Sequence, residues 1–191
     1  MIGGFKAVLF YPDHLGLVKD SPEERRSFLN IAIGQCYPFY INCYSDYKKA
    51  LDNRNCILKF INKGFPVSDG ELLAWSESMA EYASHIYLMR EEYLERLSHH
   101  AKKIMLDISD GKENIEILHE CSIETGLRDR KEIKEAYKER LSKNIEREIA
   151  AGVSLYGPHR DDIEIKINGN DARLYASQGQ QRSVVLSFKL S

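Results

Sequence analysis

Ser68-Asp69-Gly70-Glu71-Leu72-Leu73-Ala74-Trp75-Ser76-Glu77-Ser78-Met79 opens the longest periodic stretch of the chain. A serine followed three residues later by glutamate is a capping box. The hydroxyl accepts from an N–H of the first turn while the carboxylate reaches back to the N–H of the cap itself. Behind it Leu72, Trp75, Met79, Tyr82, Ile86, Met89 and Tyr93 recur at alternating steps of three and four, a heptad seam that needs a partner helix to cover it. The seam continues through Leu97, Ala101, Ile104 and Ile108, mostly in steps of four, so the repeat relaxes toward eleven residues and a supercoil would locally unwind. The predicted partner starts at Asp129, with Glu132 three residues on, and repeats Ile133, Tyr137, Leu141, Ile145 and Ile149 every fourth position. Its other faces are dense with lysine, arginine and glutamate. A long antiparallel helix pair follows from this pattern.

Ahead of the pair, Ser21-Pro22-Glu23-Glu24 places a hydroxyl at the N-cap and proline at the first helical position, where its missing N–H costs nothing. Gly34 and Pro38 interrupt that helix. A second one, marked by Tyr40, Cys43, Tyr44, Tyr47, Leu51, Leu58 and Ile61, ends near Gly64 and Pro66. Strands are predicted where the period falls to two or an apolar run is short. These are Phe5–Phe10 before the turn Tyr11-Pro12-Asp13, the alternating stretch Ile115 to Ile123, and Ile163, Ile165 and Ile167. The last leads into Asn168-Gly169, a strong hairpin signal, with a returning strand expected at Arg173 to Ala176. The fold class is therefore α+β, mostly helical, with strands flanking a helical body. The chain stops at Ser191 within the apolar run Val184 to Leu190, as a segment of a longer protein would.

Composition excludes several classes. A chain of 191 residues can bury roughly 70% of its unfolded surface, enough for a core without disulfides or metals. No stretch approaches the ~18 apolar residues of a membrane span, and no secretory signal opens the sequence, so the cytoplasm is the expected location. Cys36, Cys43, Cys56 and Cys121 make no C-x-x-C pair and are expected as reduced, mostly buried thiols. Twenty-seven basic against twenty-nine acidic side chains leave a net charge of −2, so any contact with DNA must be local.

Candidate chemistry lies in the last forty or so residues. Ser177-Gln178-Gly179-Gln180-Gln181-Arg182 sits between a predicted strand and the mouth of a predicted helix, where unpaired N–H groups and the helix dipole favour an anion. Ser177 is placed as N-cap, and Gly179 has no side chain to obstruct a phosphate. Taken alone, S-x-G-Q reads better as simply a well-capped helix start. His159 and Arg160, in Gly-Pro-His-Arg, are candidates to approach a nucleotide or an interface; a turn histidine bonded to backbone is the plainer reading. Arg182 could bind phosphate or remain solvated. His99-His100 lacks a carboxylate or cysteine at metal spacing and reads as exposed face. Tyr40, Tyr44 and Tyr47 beside Lys48 and Lys49 could stack on single-stranded DNA, but their helical spacing favours core.

Leu155-Tyr156-Gly157-Pro158-His159-Arg160-Asp161-Asp162, then Asn168-Gly169, Ala172 to Ala176, and Ser177 through Leu186 together resemble the characteristic block of the RecF family. Ala7 to Asp13, Glu23 to Asn30, Arg54-Asn55 and Leu58-Lys59 resemble the family's entry into its helical arm. The resemblance implies an ABC-type ATPase head related to chromosome-maintenance proteins, with an arm inserted between its lobes. Residues 1–20 would leave the head, 21–152 form the arm, and 153–191 return as a hairpin and signature helix. It also implies that Ser177, Gln178, Gly179, Gln180 and Arg182 form the signature that contacts ATP held by a second subunit. Ala176 and Gln178 depart from the general ABC pattern, the latter in the way the family itself does.

The implied parent protein is a weak, DNA-dependent ATPase of recombinational repair and the SOS response, using ATP and Mg in a homodimer. It acts at single-strand gaps and junctions and helps RecO and RecR load RecA. Neither a G-x-x-x-x-G-K-[ST] loop nor an apolar strand ending in Asp-Glu occurs in this sequence, so hydrolysis by the segment alone is not expected. A head segment of another chromosome-maintenance ATPase, or a helical protein-interaction module, are the alternatives the residues leave open.

Overall fold

The computed structural model describes residues 16–123 and 126–191. The expected strand at Phe5–Phe10 lies outside the described residues. The described chain divides into two compact units. One holds the residues up to Cys36 together with Arg90–Glu120 and Asp162–Ser191, the other Tyr37–Met89 and Cys121–Asp161.

The first unit is α+β. Helices α1 (Gly16–Lys19) and α2 (Pro22–Cys36) are followed by the second part of α4 (Asp69–Ile108), whose residues from Arg90 onward belong here. Strands β1 (Ile115–Glu120), β2 (Asp162–Ile167) and β3 (Asn170–Asp171) form an antiparallel sheet in that order, with Ile115 opposite Ile167 and Glu120 opposite Asp162. Helices α7 (Ala172–Tyr175) and α8 (Gln178–Leu190) complete it. Ile163, Ile165 and Ile167 are buried on one face of β2, as period-two alternation demands. Leu29, Ile33, Leu97, Met105, Val184, Val185 and Phe188 are buried within the same unit. Arg25 is almost fully buried and bonds both carboxylate oxygens of Asp162 at 2.7 Å; the fork geometry holds α2 to the first residue of β2.

The second unit is helical: α3 (Pro38–Asn62), the first part of α4, α5 (Arg130–Lys143) and α6 (Ile145–Ala151). Tyr40, Tyr47, Leu58, Met79, Ile86, Ile133 and Tyr137 are among its buried apolar side chains. Tyr40 and Tyr47 of the tyrosine stripe are thus core, with Tyr44 half-buried beside them. Helix α5 runs antiparallel to α4. Arg130 pairs with Glu81, Lys134 with Glu81 at 2.9 Å and Glu77 at 2.7 Å, and Lys138 with Glu77 at 3.0 Å. The lysine contacts hold the Glu77 and Glu81 carboxyls below the usual carboxylate range. Their stabilisation is therefore complete above pH ~4.5 and is lost as acid protonates them in the folded state. Both glutamates are more than a third exposed, so solvent screening keeps the effect small. Lys134→Met is expected to cost under ~1 kcal/mol at pH 7 and less at pH 3. Urea melts at the two pH values check this; an equal loss at both would contradict it.

Several sequence expectations are corrected. The partner helix breaks at Asn144, whose side chain donates to the Arg140 carbonyl at 2.8 Å and competes with the helix backbone. Beyond the break Glu148 is buried instead of Ile145 and Ile149, because its carboxylate meets Arg54 at 2.7 Å. The seam of α4 passes through Arg90 rather than Met89 and Tyr93, with Arg90 bonded to Asn30, and Ile108 lies exposed. Strand β1 ends at Glu120 rather than Ile123. Both the N–H and the hydroxyl of Ser122 turn to the Asp161 carboxylate. The returning strand at Arg173 to Ala176 is instead helix α7, because the Asp171 carboxylate caps the Arg173 N–H at 2.8 Å. None of the four cysteines is in a disulfide, and only Cys43 is buried; Cys36 and Cys56 are exposed.

Candidate functional site

The turn at Ser177 is built by the hairpin before it and the helix after it. Asn168 and Gly169 both have positive φ, 50° and 80°, the conformation that a tight hairpin turn requires and that Asn-Gly supplies. The Asn168 side chain accepts from the Asn114 N–H at 2.8 Å and donates to the Lys112 carbonyl at 3.1 Å, pinning the turn to the segment that leads into β1. After α7 the backbone of Ala176 and Ser177 is extended, and α8 begins.

Ser177 is the N-cap of α8, as its position in the sequence predicts. Its Oγ accepts from the Gln180 N–H at 3.3 Å, and Gln180 Oε1 accepts from the Ser177 N–H at 2.9 Å, a complete capping box. Gln180 Nε2 donates to Glu113 Oε1 at 3.0 Å, and the buried Gln181 donates to the Ala176 carbonyl at 2.7 Å. Val184, Val185 and Phe188 anchor the helix from below, with the Phe188 ring 5.9 Å from that of Phe28.

The outward side of the turn is open. Ser177, Gln178, Gly179 and Arg182 are exposed, as are Leu174 and Tyr175 just before them. A side chain at Gly179 would meet only Ser177 Oγ, at 3.9 Å. Packing among the described residues therefore does not account for the glycine. The first N–H groups of a helix lack intrahelical acceptors, so those of Gln178 and Gly179 join the Ser177 hydroxyl in a cluster of donors suited to an oxyanion.

His159 and Arg160 belong to the other unit. The Ser154 carbonyl, 3.2 Å away, can only accept, so His159 Nε2 donates to it and Nδ1 accepts from the Tyr47 hydroxyl at 2.7 Å. The ring is thus held by its own unit, as the plainer reading anticipated, while the Arg160 side chain is exposed. Gly157, two residues earlier, has φ 132°, and a Cβ there would overlap the hydroxyls of Tyr137 and Tyr47. Gly157→Ala is expected to cost about 2–4 kcal/mol through strain and overpacking. Chemical denaturation reads this directly, and a loss below about 0.5 kcal/mol would refute the strain.

Sequence reasoning missed Glu113 and Gln181. Glu113 lies far from the turn in the chain, in a loop with no periodic signal. Gln181 is buried where a polar residue in a first helical turn would ordinarily be solvated.

The chain is α+β and mostly helical, the fold of an ABC ATPase-type protein. No family model matches the chain. It is 38% identical over 184 residues to the DNA replication and repair protein RecF of Pelotomaculum thermopropionicum, covering 96% of this chain and 50% of that one. It is 39% identical over 191 residues to the protein of that name from a Geobacillus species, covering 100% and 51%. A solved structure of the recombination mediator protein RecF-ATP in the RecFOR pathway superposes with a TM-score of 0.91 at 34% identity, covering 99% of this chain and 50% of that one. The chain is a segment of the RecF family, spanning about half the length of the curated relatives it matches.

Proposed function

We propose that the segment supplies the arm and the in-trans ATP contact of an ATP-dependent DNA-binding protein of recombinational repair. In this reading residues 1–20 leave the ATPase head, 21–152 form the arm and 153–191 return to the head. ATP and Mg are held by parts of the longer protein outside this segment. Ser177, Gln178, Gly179, Gln180 and Arg182 meet the terminal phosphate from across a homodimer interface, and His159 and Arg160 approach that interface or the nucleotide. The dimer closes on single-stranded, gapped or junction DNA in the cytoplasm and, with RecO and RecR, helps load RecA.

The observation that carries this is the exposed capping box at Ser177. It presents a hydroxyl and helix N–H groups outward, and nothing among the described residues requires Gly179 to lack a side chain. RecF relatives named for DNA replication and repair, and one solved with ATP, support the same assignment. Half of a composite site should not hold nucleotide by itself. The segment alone is expected to show no ATP-dependent rise in melting temperature, whereas the full-length protein sediments as a dimer on ATP addition and then binds gapped DNA more tightly. Stabilisation of the isolated segment by ATP, or a full-length protein indifferent to ATP, would overturn the reading.

A further inference from the structure

The structure assigns to Glu113 the task of fixing which groups the Ser177 turn presents. We infer that it is a positioning residue for the nucleotide contact, acting through Gln180; this rests on the reading of Ser177–Arg182 as that contact.

A carboxamide has one accepting and one donating end, whereas an ionised carboxylate only accepts. Glu113 Oε1 lies 3.0 Å from Gln180 Nε2, so the amino end of Gln180 must face Glu113. The carbonyl end is then committed to the Ser177 N–H, at 2.9 Å. Rotating the amide by half a turn would set oxygen against carboxylate and amino group against N–H, two repulsions in place of two bonds. The Gln180 N–H donates to Ser177 Oγ at 3.3 Å, which uses one lone pair and leaves the hydroxyl's own hydrogen free to donate. The outer side of the turn then offers a set of donors: the Ser177 hydroxyl and the N–H groups of Gln178 and Gly179. Preorganised donors of this kind discriminate an oxyanion without reorganisation at the moment of contact.

Glu113 is itself held. Its N–H donates to Ser109 Oγ at 3.0 Å, Ser109 Oγ donates to the Met105 carbonyl of α4 at 2.8 Å, and the preceding Lys112 carbonyl receives Asn168. The carboxylate is half-buried behind Gln180 and is not one of the groups an incoming phosphate would touch. The long helix α4 is therefore connected through Ser109 and Glu113 to the first turn of α8.

The test uses the full-length protein and measures the ATP concentration for half-maximal dimerisation by sedimentation, in Glu113→Ala, Gln180→Ala, the double variant and Ser177→Arg. Glu113→Ala is expected to raise that concentration about tenfold, the effect of losing one modest interaction. Gln180→Ala, which also removes a member of the contact itself, should raise it at least as much, and the double variant should be no worse than Gln180→Ala alone. A general structural role would instead add to the Gln180 effect in full. Glu113→Gln keeps the shape and one acceptor and serves where the alanine variant folds poorly; its rise should be about threefold. Unchanged dimerisation in the Glu113 variants, with Ser177→Arg inactive, overturns the role of Glu113 alone. Unchanged dimerisation in Ser177→Arg overturns the reading beneath it.

Discussion

Replacing Ser177 by arginine in the full-length protein is expected to abolish ATP-driven dimerisation while each subunit still binds ATP. The serine hydroxyl sits at the exposed N-cap of α8, where the smallest polar side chain leaves room for a phosphate to reach the N–H groups of Gln178 and Gly179. Arginine removes the hydroxyl donor and fills that room with a long side chain. Its positive charge does not compensate, because it acts as a point well beyond the turn while the backbone donors it covers are lost. Fold damage is small by comparison. Loss of an N-cap costs about 1 kcal/mol, and α8 remains held by Val184, Val185, Phe188 and the bond from Gln181 to Ala176. The isolated segment should therefore lose only a few degrees of melting temperature. Sedimentation with and without ATP, beside binding of a fluorescent ATP analogue, separates the two effects. Full dimerisation by the variant would sink the in-trans reading.

What could be read from the sequence follows the range of the forces involved. The helix start at Gln178 and the hairpin at Asn168-Gly169 are set by neighbours in the chain: a hydroxyl three residues before a side-chain amide, or two residues that accept positive φ. These were legible, as were the long helix and the turn that carries Ser177. The break at Asn144 and the helical Ala172–Tyr175 were also local, but each depended on a single side chain choosing backbone as its partner, which periodicity cannot register. The remaining part was not legible because it pairs distant residues. Nothing near Glu113 points to Gln180, and nothing near Arg54 points to Glu148. A buried arginine in an amphipathic pattern reads as a solvated position until its partner is known. The turn's donors were thus visible in the sequence, and what orders them was not.

Arg54→Ala is expected to produce the largest loss of stability of any single change in the second unit, about 3–5 kcal/mol, because it leaves a buried carboxylate without its counter-charge. Arg54 and Glu148 are both fully buried. Arg54 donates to Glu148 at 2.7 Å, to Ser154 Oγ at 2.7 Å and to Ser76 Oγ at 2.9 Å. The other oxygen of Glu148 accepts from the Leu155 N–H at 2.8 Å, and neighbouring Asn55 accepts from the Ser154 N–H at 2.7 Å. Helix α3 therefore fixes the Ser154-Leu155 loop through two consecutive side chains, and truncating the first leaves the Glu148 carboxylate without its counter-charge and removes the bonds to Ser76 and Ser154 together. The ion pair itself contributes far less than this loss, since removing two charges from water offsets most of their attraction. Replacing both partners by apolar side chains, Arg54→Met with Glu148→Leu, should accordingly recover more than half of the loss. Urea denaturation of the single and double variants distinguishes the two terms. A double variant as unstable as Arg54→Ala would mean that the hydrogen bonds to Ser154 and Leu155, and not the uncompensated charge, set the cost.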